Sequence, residues 1–191
     1  AIHYGMEQYL KGNKEPEIDE EYQNFWSGLP KILDQFTEVL WAESPVLDRF
    51  KFTLGCDDIA RVWGADGQGR AWAGAPDIIA VVNNKLTLAD LKTSVRPYSR
   101  KWPKDYEKGT KEWRNLLGGY MKFKKTCKQL AAYDIAIEQT LGMKVQQAAV
   151  LVSTPERTQI FKISRGFLNS LRQDWYKIVE EYYKQLEECD I

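Results

Sequence analysis

The stretch 73–94, AGAPDIIAVVNNKLTLADLKTS, constrains this chain more than any other. Ile78-Ile79-Ala80-Val81-Val82 is a continuous apolar run rich in β-branched residues, the pattern of a buried strand. Asn83-Asn84 then reads as a two-residue turn, and Leu86-Thr87-Leu88-Ala89 resumes strand character. With that turn as the loop, Val82 faces Lys85, and counting outward sets Val81 against Leu86, Ala80 against Thr87, Ile79 against Leu88, Ile78 against Ala89 and Asp77 against Asp90. Opposed residues share a sheet face, and Lys92 lies two positions past Asp90, so Asp77, Asp90 and Lys92 are expected on one side. Two carboxylates facing each other at the open end of an apolar hairpin repel unless something positive stands between them. A divalent cation fits that place, with Lys92 as a further positive group. The competing reading is a strand end running into solvent, with Pro76-Asp77 a simple turn. A one-residue slip of register would restore it.

The remainder of the chain narrows the class. Its 191 residues fit one domain, 1–191, with a sizeable core. No apolar run is long enough to cross a membrane and no charged-then-apolar leader opens the sequence, so a soluble, intracellular protein without a membrane partner is expected. Cys56, Cys127 and Cys189 are widely spaced and contain no C-x-x-C, which argues against a disulfide framework, a zinc knuckle or a four-cysteine cluster. His3 is the only histidine, so a histidine-rich metal site is excluded, and a triad built on it has no nucleophile motif.

Net charge is formally zero, yet the positive charge is concentrated. Between Arg96 and Lys128 lie Arg100, Lys101, Lys104, Lys108, Lys111, Arg114, Lys122, Lys124 and Lys125, against Asp105, Glu107 and Glu112. Tyr98, Trp102, Tyr106, Trp113, Tyr120 and Phe123 are interleaved with them. That composition suits a surface that neutralises phosphates and stacks on bases, and equally a solvated helix face.

Periodicity predicts a helix over 2–10 ended by Gly12-Asn13, with His3 and Glu7 on one face, and a second helix over about 19–36 that Gly28 and Pro30 interrupt. Strands are expected over 37–44, with Glu43 near the end, and over 50–63, followed by a turn at 66–69. A long helix over 111–141 carries Gln129 and Tyr133 four residues apart. Strands over 145–153 and 159–163 follow, and Ser164 caps a last amphipathic helix toward Glu188. One mixed sheet flanked by helices accounts for this α/β order.

In order along the chain stand His3 in a first helix, Glu43 on an early strand, Gly74-Ala75-Pro76-Asp77, Asp90-Leu91-Lys92-Thr93-Ser94, and Gln129 followed by Tyr133. The set resembles the PD-(D/E)XK nucleases, most closely the RecB-type exonuclease branch that includes the mitochondrial single-strand exonuclease. The resemblance implies a restriction-endonuclease-like mixed sheet flanked by helices in a single domain. It implies that Asp77 and Asp90 bind the catalytic metal, joined by His3, Glu43 and the Leu91 carbonyl, and that Lys92 positions or activates water. Gln129 and Tyr133 match a motif that supports the site and the nucleic-acid path. The chain departs from the branch in opening at Ala1-Ile2-His3 without the usual Gly-Thr lead-in, in lacking cluster-binding cysteines, and in a longer stretch over 46–72.

The function expected is a deoxyribonuclease using one or two Mg²⁺ or Mn²⁺ ions, exonucleolytic, acting on DNA with a single-stranded end and leaving 5′-phosphates. Arg96, Arg100, Lys101, Lys122, Lys124 and Lys125 are the expected DNA contacts. The alternatives are an endonuclease of the same fold and a nucleic-acid-binding module with a vestigial site.

Overall fold

The computed structural model describes residues 1–46 and 61–189. The strand expected over 50–63 and Cys56 therefore lie largely outside the described residues. In chain order, helix α1 spans Ile2–Leu10, a 3-10 turn spans Glu20–Tyr22, and short helices α2 and α3 span Gln23–Trp26 and Leu29–Leu33. Strands β1 (Thr37–Ala42), β2 (Ser44–Pro45), β3 (Val62–Ala65), β4 (Ala71–Gly74), β5 (Ile78–Val82) and β6 (Lys85–Thr93) follow. Helix α4 (Lys111–Leu141), strands β7 (Gln147–Ser153) and β8 (Thr158–Ser164) and helix α5 (Arg165–Cys189) complete the described chain.

The β5–β6 hairpin adopts the register expected from its turn, from Val82 opposite Lys85 to Ile78 opposite Ala89. Asn83 and Asn84 both take positive φ (51° and 58°), the left-handed pair that matches the twist of a two-residue hairpin. This hairpin is the centre of a six-stranded sheet ordered β2-β1-β5-β6-β7-β8. The β6–β7 pair is parallel, which requires a crossover, and α4 supplies it; the other pairs in this sheet are antiparallel. The result is a mixed α/β, restriction-endonuclease-like sheet with helices on both faces.

Alternation along the strands divides the core in two. Ile79, Leu88, Val150 and Val152 face α4 and α5, where they meet Phe123, Cys127, Leu130, Leu168 and Leu171. Ile78, Ala80, Ala89, Leu91 and Leu151 face α1 and α3, against Met6, Leu29, Ile32 and Leu33. Each buried Leu, Ile or Val contributes about 1.5–3 kcal/mol relative to exposure, so neither layer detaches easily. Helix α4 begins where Thr110 Oγ1 accepts the Trp113 N–H (3.2 Å) and stops at Gly142, which takes left-handed φ. Buried Asp134 on α4 receives Arg165 (2.8 Å) and Arg172 (3.2 Å) and so pins α5 to it.

The second helix is divided where Gly28 and Pro30 stand: it breaks at Gly28, where a Cβ would overlap the Thr158 side chain, and restarts with Pro30 in the first turn of α3. One expectation is corrected: the strands do not all share one sheet, because β3 and β4 form a separate hairpin that packs on α4. Trp63 and Ala65 of that hairpin bond to Thr140 and Gln139 instead of to a sheet edge.

Candidate metal centre and its surroundings

Asp77 precedes β5 by one residue and is held by long-range bonds. Its carbonyl accepts the Glu43 N–H (2.7 Å), and its Oδ2 accepts the Leu91 N–H (2.6 Å). The carbonyl of Pro76 accepts Trp41 Nε1 (2.7 Å) from the fully buried indole of β1. Asp90 lies across the hairpin, fully buried. Lys92 Nζ approaches Asp90 Oδ2 to 2.8 Å as an ion pair, but neither Asp90 oxygen has an aligned hydrogen-bond partner. The common face expected for Asp90 and Lys92 is what that contact requires.

Glu43 stands just past the end of β1, as the single residue between β1 and β2, with φ 55°, a left-handed conformation unusual for a glutamate. That turn aims its carboxylate at His3, whose Nδ1 lies 2.5 Å from Glu43 Oε1 and 3.9 Å from Asp77 Oδ2. His3, Glu43 and Asp77 thus offer ligand atoms within 4.8 Å of one another. Asp90 stands outside that set, beside Lys92. Glu7, on the His3 face of α1, pairs instead with Lys11 (2.5 Å), which also reaches Ser44 Oγ (2.9 Å).

The charges are strongly perturbed. Burial and then the neighbouring Asp90 push the Asp77 carboxyl up to about 7, against the opposing pull of His3. Burial also raises Asp90, with Lys92 opposing. For Lys92, burial favours the neutral amine, but the Asp90 carboxylate outweighs it and the group is raised, hence an ammonium. The bond to Glu43 raises His3, favouring imidazolium. Two buried carboxylates that resist ionising, with unsatisfied oxygens on one of them, are the donor chemistry of a hard divalent cation.

Gln129 Nε2 donates to the Tyr133 hydroxyl (2.7 Å), and the Tyr133 ring passes so close to Gly74 that a Cβ there would overlap it. The glycine of the Gly-Ala-Pro-Asp run is therefore the seat of Tyr133. Lys122 Nζ donates to Ser94 Oγ (3.2 Å), two residues beyond Lys92. Arg96, Arg114 and Lys122 line a pocket of about 170 Å³ with no carboxylate in its walls. Lys124 lies 5.7 Å over the Tyr120 ring, and Lys101 is exposed. Arg100 is engaged elsewhere: its guanidinium bonds the Lys162 carbonyl and lies over Phe123 and Phe161, at the β8 edge. Of the six basic residues, Arg96 and Lys122 share that pocket, and Arg100, Lys101, Lys124 and Lys125 do not line it.

Ser94, the last residue of the Asp-Leu-Lys-Thr-Ser run, and Arg114, from the basic run, complete these surroundings, together with Trp41, which no motif marks. An apolar residue two before Glu43 was the available signal for Trp41, but its bond to Pro76 has no local signature. Cys127 is on the buried face of α4, with its thiol pushed up by burial to about 12, which keeps it protonated.

No protein-family model and no curated protein matches this chain. Among solved structures, one from Eubacterium rectale described as a candidate exonuclease is similar at 15% identity with a TM-score of 0.49, covering 96% of this chain and 64% of its own. A second, of the protein SSO0001, is similar at 18% identity and a TM-score of 0.30, covering 61% of this chain and 48% of its own. The chain thus spans less than two thirds of either structure, and both likenesses are too distant to carry an argument. Among the described residues, no helix is long and apolar enough to cross a membrane.

Proposed function

We propose that this chain is a metal-dependent nuclease, with residues 1–191 as one catalytic domain, that hydrolyses DNA phosphodiester bonds. In its finer form the reading is an exonuclease of the RecB-type PD-(D/E)XK branch, acting from a single-stranded end and leaving 5′-phosphates. The observation that carries it is Asp90, a fully buried carboxylate with no aligned hydrogen bond to either oxygen, set beside Lys92 and across the hairpin from Asp77. Lys92 balances the charge of Asp90 at one oxygen, but a buried carboxyl without aligned donors is costly, and a bound cation offsets that cost.

Asp77, Asp90, Glu43 and His3, with the Leu91 carbonyl, would hold one or two Mg²⁺ or Mn²⁺ ions, which when bound polarise the scissile phosphate and acidify a water. The protein's own groups do the rest. Lys92, kept as an ammonium by Asp90, donates hydrogen bonds to the attacking water or to the phosphate oxygens as negative charge grows. It has no free pair with which to take a proton, so its role is orientation and charge stabilisation. Tyr133, fixed by Gln129 and Gly74, presents a hydroxyl donor at the same face. Arg96, Arg114 and Lys122 hold a neighbouring phosphate in their pocket.

The test is degradation of a labelled single-stranded oligonucleotide with Mg²⁺ or Mn²⁺, with and without EDTA. Wild type should cleave only with metal, and Asp90→Asn should bind the strand without cutting it. A circular single strand should survive if action is exonucleolytic. Cleavage in EDTA, or wild-type cleavage by Asp90→Asn, refutes the proposed centre.

A further inference from the structure

With Tyr133 in its wall, a cavity of about 610 Å³ opens between β4, α4 and α5, within the size range of small-ligand sites. Trp72, Tyr133 and Trp175 line it, together with Lys125 and Lys128. No carboxylate lines it, and Lys128 stands on the border with the neighbouring α4–α5 groove, which carries Asp174 and Glu181. Aromatic walls beside two lysines suit a flat ring that carries an anionic group.

The rings are held in place before any ligand arrives. Trp72 Nε1 donates to the Ala132 carbonyl (3.1 Å), and its indole meets Trp175 and Tyr176 edge-on with centroids 5.8 Å and 6.1 Å away. Gly64 lies under that indole, where a Cβ would overlap it. Tyr133 is fixed from two sides by Gln129 and Gly74. Rings already ordered lose little freedom when a ligand stacks on them. Tyr133 also joins the cavity to the chemistry, since its ring is a wall and its hydroxyl stands close enough to Asp90, Asp77 and Lys92 to feel their charges.

We infer that this cavity is a nucleotide pocket that takes one unpaired base of the substrate strand against the Trp72 and Tyr133 rings, with a phosphate on Lys125 and Lys128. The inference rests on the nuclease reading for the identity of the strand; the ligand chemistry, an aromatic ring carrying a phosphate, rests on the cavity itself. A base inside the cavity cannot remain paired, so the strand is unpaired at that position, and a duplex must first lose a pair there at a cost of a few kcal/mol.

The test uses the full chain in EDTA, so that nothing is cut, and a short labelled oligonucleotide read by fluorescence anisotropy. One abasic residue is moved through each position. Wild type should lose about 5- to 150-fold in affinity at one position, the size of one base–aromatic stack, and little elsewhere. Trp72→Ala should lose a similar factor on the intact strand and show no further loss at that position. Should Trp72→Ala not fold, Lys125→Ala and Lys128→Ala, at an exposed and a half-buried position of α4, take its place, weakening binding while the abasic position stays the same. In parallel, dAMP should move the indole N–H resonances of Trp72 and Trp175, and inorganic phosphate should not. A flat abasic scan with indole signals indifferent to dAMP overturns the inference. Metal-dependent cleavage and its loss in Asp90→Asn are read separately, so the pocket and the nuclease reading fail independently.

Discussion

Replacing Asp77 by asparagine should change how the stability of the metal-free protein depends on pH. Asp77 is 7% exposed, and burial next to Asp90 lifts its carboxyl from 3.8 to about 7. A folded-state pKa above the unfolded value means that the stabilisation is complete below the unfolded pKa and is lost as pH rises toward the folded one. From about pH 4 to about pH 7 the unfolded chain ionises this group while the folded one does not, and each pH unit removes about 1.4 kcal/mol. Across that interval the loss is about 4 kcal/mol, or roughly 10 °C in Tm for a chain of this size. The asparagine of the variant has no such charge, and its side-chain carbonyl can still accept the Leu91 N–H. Urea unfolding of both proteins with a chelator, at about pH 4 and about pH 8, gives the difference between them at each pH, and this cancels groups that titrate alike in both. The variant should gain on wild type by about 4 kcal/mol from the lower pH to the higher. Added Mg²⁺ or Mn²⁺ at the higher pH should restore wild type and not the variant. A difference that does not move with pH refutes the buried, repelling pair, and equal metal responses remove Asp77 from the ligands.

Lys92→Ala should keep its fold, its metal response and its affinity for DNA while single-turnover cleavage falls by roughly two to four orders of magnitude, and near-wild-type cleavage would reduce Asp-Leu-Lys to a strand end. Lys92→Arg should rescue poorly, because a guanidinium differs in shape and hydrogen-bond directions from the ammonium it replaces. Gly74→Ala should cost about 1–3 kcal/mol by driving Tyr133 from its seat, and cleavage should drop with it; a denaturant midpoint equal to wild type contradicts the close approach. Neutralising Arg114 and Lys122 together should reduce the salt slope of single-strand binding by about 0.7 for each phosphate no longer neutralised, and an unchanged slope returns that pocket to solvent. Arg172→Ala should destabilise by about 1–3 kcal/mol by leaving one oxygen of buried Asp134 unsatisfied while Arg165 still holds the other, a loss visible in thermal melts without any change in metal affinity.

What local sequence determines here is the geometry of elements whose causes lie within a few residues. Asn83 and Asn84 accept the left-handed backbone of a two-residue turn, so the hairpin register and the opposition of Asp77 and Asp90 follow from counting. Thr110 and Gly142 bracket α4 in the same way, and with it the four-residue spacing that joins Gln129 to Tyr133. Two short apolar strands separated by Pro155-Glu156-Arg157 likewise make the β7–β8 pair legible. What tertiary structure alone decides are contacts between segments far apart in the chain. His3 meets Glu43 only because α1 packs beside a left-handed turn between β1 and β2, and no periodicity announces that turn. Arg100 belongs to a basic run by composition, yet it bonds the Lys162 carbonyl on β8 and lies over the Phe123 and Phe161 rings, contacts that no local pattern announces. Trp72 and Trp175 stand more than a hundred positions apart in the chain and share a wall because α5 is pinned to α4 through Asp134. Spacing encodes the direction of a side chain within its own element; what it meets depends on how the elements pack, and packing is settled by the summed burial of both faces of the sheet.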